Sequence, residues 1–145
     1  MAAYNKFQDF VEQVLKAVHD LDGTHTIKCA LTNTAPVATQ TNWNTTDHPA
    51  PAAANGYTAG GNTLTPSLSE ASGTATLDMA DTTFTASGGS IGPFRYAVIY
   101  NDTATSPADA AIAWYDYSSS ITLLDTETFT IDFGSGASND FFTLT

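Results

Sequence analysis

Apolar residues near the start of the chain, Tyr4, Phe7, Phe10, Val11, Val14, Leu15, Val18 and Leu21, recur at steps of three and four. That spacing lines one face of an α-helix and predicts an amphipathic helix over residues 3–22. Lys6, Asp9, Glu12, Gln13 and Lys16 fall on the other side, with Glu12 and Lys16 spaced for an i,i+4 ion pair, and Asp22-Gly23 supplies a stop. So wide a stripe must be covered, either by the domain's own sheet or by a neighbouring subunit. After Gly23 the period drops to two: Ile27, Cys29 and Leu31 alternate with Lys28, Ala30 and Thr32, which predicts a half-buried first strand over 24–32.

The same period continues through candidate strands at Thr74 to Met79, Thr82 to Ser87, Phe94 to Tyr100, Ala111 to Tyr117, Ser120 to Leu124, Glu127 to Phe133 and Asp140 to Leu144. Gly88-Gly89, Asn101-Asp102, Ser118-Ser119 and Asp125-Thr126 separate them as breaks. Residues 33–61 break the pattern. They are rich in Thr, Asn, Ala and Pro, with Trp43 and Tyr57 as the large apolar anchors, and a structureless stretch of that length is uncommon inside a compact domain. They read as an extended arm laid on a neighbour or as a flexible surface loop, with Trp43 favouring the arm. The expected fold is therefore mainly β: one domain spanning 1–145, an antiparallel β-sandwich or barrel with one N-terminal helix, a long irregular loop and a β-rich body over 62–145.

Composition narrows the function. The chain is 42% hydrophobic but only 13% charged, which suits a globular domain surfaced by Thr, Ser, Asn and Ala rather than a disordered polyelectrolyte. Fifteen carboxylates stand against four cations, giving a net charge of −11. Phosphate backbones and anionic lipid are bound by clustered Lys and Arg, so nucleic acid and membranes are not expected partners. The acidity suits solubility at high concentration, or a partner with a basic face. Cys29 stands alone, which excludes an internal disulfide and a multi-thiolate zinc site, and its place in the alternation predicts a buried apolar role. The opening residues carry no secretory pattern, so a soluble protein made in a cytoplasm is expected.

Gly88-Gly89-Ser90-Ile91-Gly92 matches the G-x-S-x-G pattern, but a nucleophile elbow needs a helix after the serine, and here Pro93 and a strand follow. His19, His25 and His48 all precede Ser90, against the chain order of that family, and show no metal-ligand spacing; His19 is placed in the last helical turn, complementing the macrodipole. Asp20-Leu21-Asp22-Gly23 lacks the glutamate a calcium loop needs, since Leu31 occupies that place. Asp78, Asp81, Asp116 and Asp132 are scattered carboxylates from which no glycosidase pair stands out. No enzyme activity, cofactor or metal is expected. Arg95, the lone arginine, lies among Phe94, Tyr96 and Tyr100 and calls for a carboxylate partner or an aromatic stack.

The stretch from Phe84 to Thr103, FTASGGSIGPFRYAVIYNDT, resembles one common in small virion structural proteins of tailed bacteriophages. Lys28 to Pro36, Asn55 to Gly61 and the opening Tyr4-Asn5-Lys6-Phe7 share the likeness, so it covers most of the chain. The resemblance implies a virion location and a head-associated role, as a decoration or cement protein binding the assembled shell. Its partners would be copies of itself, with a trimer favoured, and the major capsid protein. A tail-tube or tail-fibre component and a carbohydrate-binding receptor-recognition module are the alternatives. The interface residues expected from the pattern are Phe7, Phe10, Val14, Val18, Trp43, Tyr57 and Arg95.

Overall fold

A computed structural model describes residues 3–134 and 140–145. The chain is mainly β, in several antiparallel sheets with one short helix. In chain order the elements are β1 (Ala3–Lys6), α1 (Asp9–Leu15), β2 (Ile27–Thr32), β3 (Asn62–Leu64), β4 (Pro66–Ala71), β5 (Thr74–Met79), β6 (Thr82–Thr85), β7 (Ile91–Thr105), β8 (Ala108–Leu123), β9 (Thr128–Ile131) and β10 (Asp140–Leu144). A five-stranded sheet runs β1-β8-β7-β2-β3, a three-stranded sheet runs β10-β5-β4, and β6 pairs with β9.

The predicted helix over 3–22 is corrected at both ends. Residues 3–6 form a strand on the edge of β8, with Tyr4 opposite Tyr115 and Asn5 opposite Trp114, and the Phe7 amide extends the contact by donating to the Ile112 carbonyl. Ladder pairing and aromatic contact to β8 outweigh a helical turn that could bury only one side of those residues. At the other end α1 stops at Leu15, well before Gly23. Ala17 turns left-handed at φ 57°, while the amides of Ala17 and Val18 donate to the carbonyls of Val14 and Gln13. That pattern closes a helix end in the way glycine usually does. Phe10 is buried by the shortened helix, whereas Val11 and Leu15 stay outside, Leu15 at 84% exposure.

The five-stranded sheet is buried on both faces. Cys29, Leu31, Ala97, Ile99 and Ala113 join a core with Leu77, Met79, Phe84 and Ile131 from the smaller sheets. Ala30, Tyr96, Val98, Tyr100 and Trp114 face the other way, onto Phe7 and Trp43. The half-buried first strand is therefore corrected: Ala30 and Thr32 are as enclosed as Cys29 and Leu31.

Residues 33–61 supply the second cover, which corrects the expectation of an arm laid on a neighbour. Trp43 is 4% exposed and stacks on His48 and Tyr100, with its amide donating to the Asp109 carbonyl. Asn42 bridges to Ala110, Ala111 donates to Thr41, and Gln8 donates to Ala38, so the segment is stitched to β8 and to the start of α1. Further on, Tyr57 is buried against Phe84, and its hydroxyl accepts the Leu31 amide just past the last β2 residue paired with β3. Without that hydroxyl a buried backbone donor would be orphaned.

Two expected breaks are also corrected. Asn101-Asp102 lies inside β7 and Ser118-Ser119 inside β8, because each strand absorbs the irregularity as a bulge or a local register shift. Ser118 takes φ 72° there, and its amide donates to Asp116.

Candidate functional site

Of the seven residues expected at an interface, four are enclosed by the chain itself. Phe7, Phe10, Trp43 and Tyr57 are each less than 5% exposed. Phe7 lies against Trp114, and Phe10 contacts His19 and Phe142. Val14 and Val18 are half-buried. Arg95 has both partners that its setting called for: Nε and Nη2 donate to the two carboxylate oxygens of Asp116 at 2.8 and 2.9 Å, and the guanidinium lies 5.1 Å from the Tyr96 ring centroid. The Arg95 bonds hold the Asp116 carboxyl below its ordinary pKa. The seven residues do not form one surface.

The other sequence motifs are occupied structurally. Ser90 leads into β7 rather than a helix, and its carbonyl accepts from Asn55. Asp81 and Asp132 accept the amides of Phe133 and Gly134, and Asp22 accepts the amide and hydroxyl of Thr24. Cys29 is fully buried, and burial pushes its thiol pKa far up, away from the reactive thiolate. Among the described residues no cluster of His, Cys, Asp or Glu has the makings of a metal site.

A polar hub sits where the segment after α1 meets β7. Asn101 is completely buried; its Oδ1 accepts the amides of Thr103 and Ala104, and its Nδ2 lies 3.2 and 3.0 Å from Nδ1 of His19 and His25. Nδ2 also lies 3.3 Å from the Val18 carbonyl, and its bond to His19 Nδ1 places the His19 proton on Nε2. That nitrogen is buried and has no hydrogen-bond partner among the described residues. Burial first, then the neighbouring His25, lower the His19 pKa to about 4, so it is neutral at physiological pH and cannot complement a helix end.

His19 therefore acts on stability with a defined sign. The unfolded imidazole titrates near 6.5, so between that value and about 4 the unfolded chain binds more protons, and stability falls as pH drops through the window. The loss attributable to His19 is about 3 kcal/mol, complete below about pH 4. Urea denaturation at pH 7 and pH 4 is expected to show His19→Gln losing correspondingly less stability between the two than the parent; equal losses would contradict the assignment.

Beside this hub lies a surface that sequence reading missed. A groove of about 390 Å³ opens between the end of α1 and the three-stranded sheet, walled by Val14, Leu21, Leu68, Leu77, Phe142 and Leu144. Its polar lining is His19, Asp20 and Asp22. Leu68 and Leu144 remain 52% and 49% exposed, so apolar surface is left open to solvent there. β4 reads Pro-Ser-Leu-Ser-Glu-Ala, and a lone Leu68 among them gives no periodic signal. A second, shallower hollow of about 460 Å³ lies between β8 and β9, with Tyr117 edge-on to Phe129.

Compared with protein-family models, curated proteins and solved structures, the chain gives no significant match to any.

Proposed function

We propose that the chain is a non-enzymatic structural protein of a bacteriophage virion, a head decoration or cement protein that docks on the assembled shell in many copies. The observation that carries this reading is the open groove beside α1, an uncovered apolar surface on a domain that is otherwise acidic and hydroxyl-rich. Burying such surface on a partner contributes roughly 25 cal/mol per Å² before ordering costs. The resemblance of Phe84 to Thr103 to small virion proteins supplies the particle, and the packing of a five-stranded sheet against smaller ones supports a sandwich-like body. Self-association into a trimer and contact with the major capsid protein belong to the same proposal.

The receptor-recognition alternative draws on Tyr117, which is 44% exposed beside Thr122, Thr128 and Glu127, a setting in which a sugar ring would stack. Co-sedimentation with shells assembled without this chain separates the two. Saturable binding to shells is the expected result; binding to host glycans and none to shells would favour the alternative and overturn decoration.

A further inference from the structure

We propose that the free edge of β4, together with the groove beside it, receives an extended segment of another protein, apolar beside Leu68 and carrying a Lys or Arg toward Asp20 and Asp22. β4 ends its sheet, pairs only with β5 among the described residues, and exposes five consecutive residues from Ser67 to Ala71. An edge strand of that length offers unpaired amides and carbonyls to an incoming strand, and proteins that avoid such pairing usually place Lys, Pro or a cover along the edge. Pro66 opens β4, buried opposite Met79, and leaves Ser67 to Ala71 without a proline; the only charge on the strand is Glu70, whose carboxylate accepts the Gly73 amide across the hairpin turn.

The pleat decides which side chains meet the guest. Leu68 stands opposite Leu77, and Ala75 opposite Leu144, so the face of β4 that carries Leu68 continues onto the floor of the groove. A strand added beside β4 would place alternate side chains on that same face, where apolar ones extend the Leu68, Leu77, Phe142 row.

Charge sets the chemistry of the remaining positions. Asp20 and Asp22 line the groove, and Glu70 shares the Leu68 face. The hydrogen bonds from Thr24 hold the Asp22 carboxyl below its ordinary pKa. Lys6 lies 6.0 Å from the Phe142 ring centroid, and the whole chain carries net charge −11. A basic segment is attracted to such a surface, whereas a second copy of so acidic a chain is repelled.

The inference rests on the docking reading only for the identity of the partner, and the two are separable. The isotope-labelled full chain is titrated with a short synthetic peptide alternating valine and lysine, and in parallel with the same peptide carrying glutamate for lysine. Chemical-shift changes confined to β4, β10 and residues 19–22, with slowed amide exchange along β4, are expected for the lysine peptide alone. Leu68→Lys, at an exposed position, is expected to weaken binding by about tenfold or more. The paired change Asp20→Asn and Asp22→Asn keeps the side-chain shape and is expected to remove the salt dependence. Shifts spread over the whole acidic surface, no shifts, equal binding by Leu68→Lys, or dimerisation of the unliganded chain through β4 would each overturn the proposal. Shell binding that Leu68→Lys leaves intact would sink this inference and spare the decoration reading; peptide docking at β4 without shell binding would do the reverse.

Discussion

Replacing Trp43 with alanine is expected to destabilise the domain by about 3–5 kcal/mol, a large share of the 5–15 kcal/mol that holds a domain of this size. Trp43 is the large side chain that the 33–61 segment lays on the outer face of the five-stranded sheet, in the cluster with Tyr100, Val98, Trp114 and Phe7. Its removal opens a cavity over Tyr100, and it also frees His48, which is 1% exposed and stacked on the indole at an interplanar angle of 10°. Deleting residues 36–54 removes the cover outright and is expected to abolish cooperative unfolding. Denaturant titration followed by tryptophan fluorescence and circular dichroism reads both. An arm that merely reached toward a neighbour would leave the isolated domain as stable as before, and that result would contradict the fold as described.

Gly61→Ala is the second large effect. Gly61 adopts φ +84°, and a Cβ there would lie 1.9 Å from the Cys29 carbonyl oxygen and 2.6 Å from its carbon, both backbone atoms of β2. Neither atom can yield without breaking the ladder between β2 and its neighbours, so the left-handed strain and the overlap add. The expected cost is about 3 kcal/mol or more. Gly60 precedes it, and its carbonyl accepts the Tyr100 hydroxyl at 2.8 Å, so a forced shift at Gly61 also pulls on the aromatic cluster beneath the segment. Thermal unfolding of Gly61→Ala beside Gly23→Ala, where a Cβ meets nothing within 4 Å although φ is +102°, separates the clash from backbone strain alone. Equal losses for the two variants would show that close approach to β2 contributes nothing.

Much of the β architecture was legible in the sequence because period-two alternation survives wherever one face of a strand is wet. β5 and β10 fall on the predicted bounds, and β6 and β9 lie within them. Alternation fails as a guide where both faces are buried. The runs Tyr96 to Tyr100 and Ala110 to Trp114 are continuously apolar, and a continuous run signals two covers. Read that way, they require a second layer, and residues 33–61 are the remaining chain able to provide it. The helix was overestimated because Tyr4, Phe7 and Phe10 satisfy a helical step while residues 3–6 gain more from pairing with β8. Short polar strands such as β3 and β4 carry almost no apolar signal and were missed for that reason.

The candidate site was less legible than the fold. Aromatic anchors in a polar stretch, Trp43 and Tyr57, look like contact residues in one dimension, but a large ring gains most from burial, and here the nearest apolar surface belongs to the chain itself. The groove joins residues 14–22 to β4, β5 and β10, segments far apart in sequence and individually unremarkable. Arg95 is legible as a paired residue because a lone arginine in a strand must find a carboxylate or a ring, and Asp116 and Tyr96 within the chain supply both.

Quantitative mass spectrometry of purified particles, taking the molar ratio of this chain to the major shell protein, tests the central proposal most directly. Decoration predicts a copy number comparable to that of the shell protein. A trace of the chain would move it to the tail or fibre, and its absence from the particle would contradict the structural-protein account altogether.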